Sequence, residues 1–592
     1  MSQITLSGGA ARTGLSRRQA ADPFSLVSLL IALVVVAVTV ASVVTVVWDL
    51  FVVHGHVTLT PFEQAFADGN VLKPLRNTAI VVGLSTVFAV IIGGALAWFN
   101  ERTDARMGLF SDVAPLAPFV MPPVAGSIGF AILFSPDAGY LNKAWYWVLG
   151  LVGIHTQHPL LDAYSWTGLI AVFTVYGVPF TYMMIAPALR MMDSSLEEAS
   201  KVFGAGGMRT ALRVTLPSVL PAVGAGAFLW IWIACSMVDV PLLLGTPHNI
   251  NLLAPQIISL LTYQYPPDES GAVALSTIIT VVVVLAWFVQ SRILRSSKFA
   301  TVGGKGSRTQ VVRLGRVGRP VARIAMILYV LGTTLLPGLA LLYISLAGSW
   351  RSSLTFTHLS LSQFKAALSD EQTFHGLINS LWLSLVAATI VILLAAVIAL
   401  YVSRSRGIVG RLVDAGVKVP GTVGALIVVV GILLIFEGSP FFLGGTVTIL
   451  LIAYVMLALP NASVSADAAV AGVGESLSEA SRMSGASEFR TFARVVLPLL
   501  IPGLVGVWAS VFVRTLSDLT ASSLLAGTNN PVIGFDILQQ STYGSYATMA
   551  TLCTILAIFS AVAVLGAAWL GRRVSRWTQD RSAAPVSAKQ GA

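Results

Sequence analysis

Two segments of this chain carry the same arrangement of polar side chains. Ser195-x-x-Glu198 and Ser476-x-x-Glu479 have the spacing of a capping box. In that motif the Ser oxygen and the Glu carboxylate satisfy backbone N–H groups at a helix start. Leu196, Ala199 and Phe203 then share one helical face, as do Leu477, Ala480 and Ser484. Gly204 and Gly485 suit the left-handed turn that ends such a helix. Pro217, Pro221, Pro498 and Pro502 mark re-entry into apolar sequence. This is the chemistry of docking, not of a reaction. A second polar set, Asp239, Arg514 and Asp518, lies inside apolar runs, where an ionisable group is costly and functional by default. Asp239 follows Pro217 by 22 residues and Asp518 follows Pro498 by 20, so the two acids are near-equivalents. Arg514 stands four residues before Asp518, the helical spacing of an ion pair. Two carboxylates on a central path suit a cation, and an arginine there suits an anion. The alternative is a purely structural Asp518–Arg514 pair with Asp239 at the outer interface. Glu437 is expected at the water boundary. No His/Cys/Asp cluster has metal-ligand spacing, so no metal site is expected. Nor is there a nucleophile constellation. The run 303–307, GGKGS, is no phosphate loop: no Gly stands five residues before Gly304, and Lys305 is followed by Gly306. Cys235 and Cys553 sit in apolar runs and read as small buried hydrophobes.

The elements that must position these residues are membrane helices. The 592 residues are 56% hydrophobic and 10% charged, whereas soluble domains carry about 25% charge. A soluble enzyme, a disordered chain and a nucleic-acid binder are excluded, despite a formal net charge of +10. A helix crossing the hydrocarbon core needs about 20 apolar residues. Such runs occur near 24–53, 77–99, 113–134, 165–189, 218–244 and 271–290. They resume near 321–346, 379–402, 419–436, 443–467, 499–526 and 546–570. The fold class is therefore all-α and polytopic, with about twelve spans and 141–153 as a further short or re-entrant helix. The first run is too long for a signal peptide and reads as a retained span. With the N-terminus inside, 30 of the 36 basic residues fall on the inner segments, so both termini are expected in the cytoplasm.

The chain repeats itself. Residues 193–217 and 474–498 align without a gap at a separation of 281, with thirteen of 25 positions identical. Asn77, Ala97 and Arg102 match Asn379, Ala399 and Arg404 at a separation of 302. The 21-residue difference places a longer loop near 135–165 in the first half. Both copies run in the same direction and each half holds six spans, which gives a parallel repeat. The expected division is 1–290, a basic Gly/Ser-rich linker 291–320, and 321–592. Two equivalent docking loops call for a two-fold partner beneath the membrane.

Glu198-Ala199-Ser200, Gly204 and Val214-x-Leu216-Pro217 resemble the EAA signature of the permeases of binding-protein-dependent ABC importers. Glu479-Ala480-Ser481, Gly485 and Val495-x-Leu497-Pro498 match it again, with Ser for the second Ala in both copies. The resemblance covers both halves and implies two permease domains fused in one chain. It makes Glu198, Ala199, Gly204, Leu216, Pro217, Glu479, Ala480, Gly485, Leu497 and Pro498 part of coupling loops seated in ATPase subunits. It further implies two cytoplasmic ATP-binding subunits carrying ATP and Mg, an extracytoplasmic solute-binding protein, and a place in the inner membrane among lipid. No cofactor is then bound by this chain. Fused permeases of this length resemble the iron(III) and thiamine branch, which has aminophosphonate and polyamine relatives. The phrase VDVPLLLGTPHNINLLAPQI at 238–257 looks most like iron(III) permeases. The other class with twelve spans in parallel halves is a proton-coupled secondary transporter, which leaves the two capped loops without a role.

Overall fold

A computed structural model describes residues 23–53, 56–57, 63, 71–156, 158–192, 199–200, 202–204, 206–262, 264–265, 268–296, 312–357, 359–405, 407–422, 425–473, 481, 483–484, 487–491 and 496–583. The first half runs α1 (Pro23–Phe51), α2 (Leu72–Arg102), α3 (Leu109–Val113, extended by a 3-10 segment Ala114–Val120) and α4 (Pro123–Phe134). It continues with α5 (Tyr140–Leu151), α6 (Trp166–Met191), α7 (Leu216–Cys235), α8 (Leu253–Thr262) and α9 (Glu269–Ser296). The second half holds α10 (Gly315–Val330), which passes through a π segment, Leu331–Leu335, into α11 (Leu336–Ala347). Then come α12 (Glu371–Arg404), α13 (Ile408–Thr422), α14 (Ala425–Phe436), α15 (Val447–Val473), α16 (Leu497–Leu516), α17 (Ile533–Thr542) and α18 (Tyr546–Ala583). The described strands are a two-residue antiparallel pair, Val52–Val53 with His56–Val57.

Among the described residues, eight helices are long and apolar enough to cross a membrane, and four shorter apolar helices accompany them. Each of the twelve expected apolar runs holds helix, but four differ in form: the ninth is divided between α13 and α14, on either side of 423–424, which lie outside the described residues. The third is broken: Phe110–Val120 meets Pro123–Phe134 at 90°. Pro122 and Pro123 supply no N–H to carry a helix through that corner. The Tyr176 hydroxyl, buried, donates to the carbonyls of Met121 and Pro122 at 3.2 Å and holds the bend. The fifth and eleventh runs stop early, at Cys235 and Leu516, with Ser236 and Ser517 as C-caps. After the first of these helices the chain turns through a π segment, Pro241–Gly245, with Pro241 in its first turn. The region 141–153 holds the twelve-residue α5, too short to span. The interval assigned to the linker is narrower than 291–320 at both ends, since α9 runs to Ser296 and α10 starts at Gly315. The GGKGS run lies outside the described residues.

The repeat is written in the hydrogen bonds. Asn77 donates to the Asn251 carbonyl at 2.9 Å, and Thr78 Oγ1 accepts from the Leu253 N–H. In the second half Asn379 donates to the Pro531 carbonyl at 2.9 Å, and Ser380 Oγ accepts from the Ile533 N–H. Each pair satisfies backbone groups at the start of a ten-residue helix, α8 or α17, by means of a span, α2 or α12.

The halves are interleaved. α1 packs on α12, α13 and α14 of the second half, while α11 packs on α4 of the first. Glycines permit the approach: a Cβ at Gly431 would strike the Ser42 carbonyl, and one at Gly129 would strike Pro337. The chain entering α10 is fastened to the loop after α2. Val312 donates to the Arg102 carbonyl at 2.7 Å, and the Leu314 N–H donates to Asp104 Oδ1 at 3.0 Å.

One buried acid fastens α17 to α12 in the second half. Asp536 is 3% exposed, accepts a 3.4 Å hydrogen bond from the Gln372 amide, and fills the space a side chain at Gly376 would need. Burial raises its pKa from 3.8 to about 7; the Gln372 amide opposes the rise and Asp370 adds to it. Because the folded-state pKa lies above the unfolded one, this group's contribution is complete below pH 3.8 and is lost as pH rises through about 7. Asp536→Asn is therefore expected to melt above the wild type at pH 8, with a smaller gap at pH 5. A gap in thermal melts that ignores pH would contradict this placement.

Candidate functional site: two repeated loops and an acidic pair at the helix breaks

The first repeated loop follows α6. The buried Arg102 guanidinium donates to the Met192 carbonyl at 3.2 Å, so the end of α2 holds the point where the loop departs. Glu101 pairs with Arg190 at 2.6 Å alongside it. Glu198 lies outside the described residues. From Ala199 the chain makes a helical turn, closed by the Phe203 N–H on the Ala199 carbonyl at 3.1 Å. Gly204 ends it at φ +74, the left-handed turn expected from the sequence. Val202 and Phe203 stand 84% and 89% exposed, a large apolar surface for a loop. Leu216 and Pro217 open α7, with Pro in its first turn where the missing N–H is harmless.

The second loop repeats this as far as it is described. Glu479, Ala480 and Gly485 lie outside the described residues. Met483, in register with Val202, is 89% exposed. Leu497 and Pro498 open α16 as Leu216 and Pro217 open α7.

One feature of both loops was missed in reading the sequence. Ser200 Oγ lies 2.9 Å from Thr210 Oγ1, and Ser481 Oγ lies 3.0 Å from Thr491 Oγ1. The Ser that departs from the EAA pattern in both copies thus ties the loop helix to the helix after the turn. Thr210 and Thr491 are themselves identical in the aligned repeat, and that co-occurrence of two hydroxyls was the available signal. A net hydrogen bond is worth roughly 0.5–1.5 kcal/mol. Replacing both serines by alanine should therefore speed amide exchange across 199–210 and 481–491 by about fivefold. Unchanged exchange would show that the hydroxyl pairs carry no load.

Asp239 and Asp518 occupy equivalent breaks, just past the ends of α7 and α16, and lie within electrostatic reach of one another. The Leu519 backbone N–H is turned toward the Asp239 carboxylate, whose Oδ1 is buried without a hydrogen-bond partner. Asp518 accepts from the Ala521 N–H at 2.7 Å, while its carbonyl receives the Ser522 hydroxyl, itself 3.1 Å from the Tyr454 hydroxyl. Arg514 does not form the expected ion pair with Asp518: no salt bridge joins them among the described residues. α16 ends at Leu516, so Asp518 has left the helical register that spacing assumed. The guanidinium is exposed and acts on both carboxylates at longer range. Among the described residues no group of three or more His, Cys, Asp or Glu is arranged to hold a metal ion.

Comparison with known proteins decides what this architecture is. The model of the binding-protein-dependent transport system inner membrane component family matches residues 85–297 and again 388–576, more than half of the chain. The chain belongs to this family. The permease is thus a multi-pass inner-membrane transport subunit of an ABC importer, not an enzyme. It is 26% identical over 554 residues to the ferric transport system permease protein FbpB of Actinobacillus pleuropneumoniae, covering 92% of this chain and 77% of that one. It is 22% identical over 494 residues to the Fe(3+)-transport system permease protein FbpB 2 of Haemophilus influenzae, covering 83% and 88%. The spermidine/putrescine transport system permease protein PotB of Salmonella typhimurium is 23% identical over 220 residues, covering 37% of this permease and 73% of PotB.

Proposed function

We propose that the permease moves iron(III) from an extracytoplasmic solute-binding protein into the cytoplasm, driven by two ATP-binding subunits docked on its repeated loops. The observation that carries the ATPase docking is the duplicated loop. Exposed apolar side chains, Val202 and Phe203 in one copy and Met483 in the other, stand in one register on a two-fold framework. In this reading Glu198, Ala199, Gly204, Leu216 and Pro217, with Glu479, Ala480, Gly485, Leu497 and Pro498, form the coupling surfaces. Both termini and the loops face the cytoplasm, where 30 of 36 basic residues fall. Residues 1–290 and 321–592 are the two permease domains, joined by 291–320.

Closure of the ATP-loaded partners draws the loops together and rocks the halves so that the path opens outward; hydrolysis restores the inward-facing state. Mg and ATP stay on the partners, and this chain supplies only the levers. Its own ATPase rate, purified alone, is expected to be indistinguishable from background, and steady turnover by the isolated chain would sink the reading.

Iron(III) is favoured by the two ferric permeases matched over most of the chain and by an acidic pair suited to a cation. The PotB match supports polyamine as the second reading, also cationic. Uptake by a strain lacking its own ferric importer separates the two: iron-limited growth restored by this chain and its partners supports iron, and restoration of polyamine uptake alone supports the second.

A further inference from the structure

The loop between α14 and α15, residues 437–446, and the segment 524–530 enclose a cavity of about 200 Å³. By topology it lies at the end of the bundle opposite the repeated loops. At ~30 Å³ per water this is room for about six waters, or for one small solvated ion.

Its walls offer acceptors. Asn530 is 1% exposed, and both its amide hydrogens are used, on the Thr446 carbonyl at 3.1 Å and the Leu525 carbonyl at 3.0 Å. Its Oδ1 is left buried without a partner, 3.7 Å from where a Cβ on Gly527 would stand. Glu437 is exposed one residue past the C-terminus of α14, the end of a helix that attracts positive charge. Thr528 and Asn529 complete the rim, and no Lys, Arg or His lines the cavity.

The equivalent place in the first half is built differently among the described residues. Ser135 stands where Glu437 does, the Ala163 N–H is bonded to the Phe134 carbonyl at 3.0 Å, and His248 is stacked on Tyr164 at 4.4 Å.

We propose that this cavity is a capture site for a small cation, held by the Glu437 carboxylate and Asn530 Oδ1. Its place in transport rests on the importer reading above; its affinity for cations does not. The ligand is either a partly hydrated hard metal ion or an organic ammonium group, and the test separates them.

Purified permease in phosphatidylcholine nanodiscs would be titrated with Tb³⁺, a hard trivalent probe read by its luminescence, and separately with spermidine by calorimetry. Saturable binding of Tb³⁺ assigns the site to metal ions, and of spermidine to ammonium groups; either supports a cation site. Glu437→Gln removes the charge at an exposed position and should weaken binding about tenfold. Gly527→Leu keeps every charge and fills the cavity, and should weaken it as much. No saturable binding of either probe, or binding indifferent to both variants, overturns the proposal. Failure of the importer reading has a different signature, uptake by the wild type that does not need ATP.

Discussion

Proteoliposomes carrying Gly204→Val with the ATP-binding subunits are expected to import solute at about a tenth of the wild-type rate or less, with the chain inserted normally. Gly204 sits at φ +74, where a side chain costs roughly 1–2 kcal/mol and a β-branched one more. Among the described residues no atom lies within 4 Å of the Cβ that valine would add, so the penalty is in the backbone and not in a clash. The turn relieves it by unwinding toward Val202 and Phe203, the two exposed apolar side chains just before it. A shift there moves the docking surface relative to α7, and closure of the partner no longer reaches the membrane helices. Each 1.4 kcal/mol lost from such a contact is a factor of ten. Gly206→Ala is the control: it too has open space around its Cβ, but no positive φ. It should stay within about twofold of wild type. Equal uptake by Gly204→Val and the wild type would separate this turn from coupling.

The second large effect belongs to the acidic pair. Asp239→Asn with Asp518→Asn is expected to cut iron uptake by at least about tenfold while stimulation of the ATPase by the binding protein persists. An Asn oxygen at position 518 still accepts from the Ala521 N–H, so the break after α16 keeps its geometry. What is lost is the capacity of two carboxyls at equivalent helix breaks to carry negative charge on the proposed path. Arg514→Gln sharpens the test. The guanidinium is exposed and reaches both carboxylates without pairing to either. For a cationic cargo its removal should leave uptake unchanged or raise it; for an anionic cargo it should lower it. A drop with Arg514→Gln and none with the double Asn variant would reverse the sign of the proposed solute.

The repeat was legible because it survives as identities: Arg209, Thr210, Arg213 and Val214 recur at Arg490, Thr491, Arg494 and Val495. The same register recurs in structure, where α7 and α16 each start at a Leu-Pro step and end before a serine cap. The helix breaks were not legible. The apolar run continues through Val238, Val240 and Leu242 to Leu244 without a charge cluster to stop it, so hydropathy alone reads a span to 244. The stop is made at the serine caps, a local backbone effect that a hydropathy window averages away. The exchange of α1 between halves was also hidden. Its valines and leucines suit lipid and protein alike, and the partner is selected by Gly416 and Gly431 on helices far along the chain. At the docking loops the Ser in place of Ala looked like a neutral exchange of small residues. Its weight comes from Thr210 and Thr491 ten positions on, a contact across a turn that helical spacing does not reveal.

ATP-driven import of iron(III) through this chain is the proposed function. Its most direct test is uptake of radiolabelled ferric iron by proteoliposomes holding the permease, its ATP-binding subunits and the loaded binding protein, with ATP sealed inside. The expected result is accumulation that needs internal ATP, persists when a protonophore collapses the proton gradient, and fails when the binding protein is left out. Accumulation that follows the proton gradient without ATP, or no iron accumulation while spermidine enters, would contradict it.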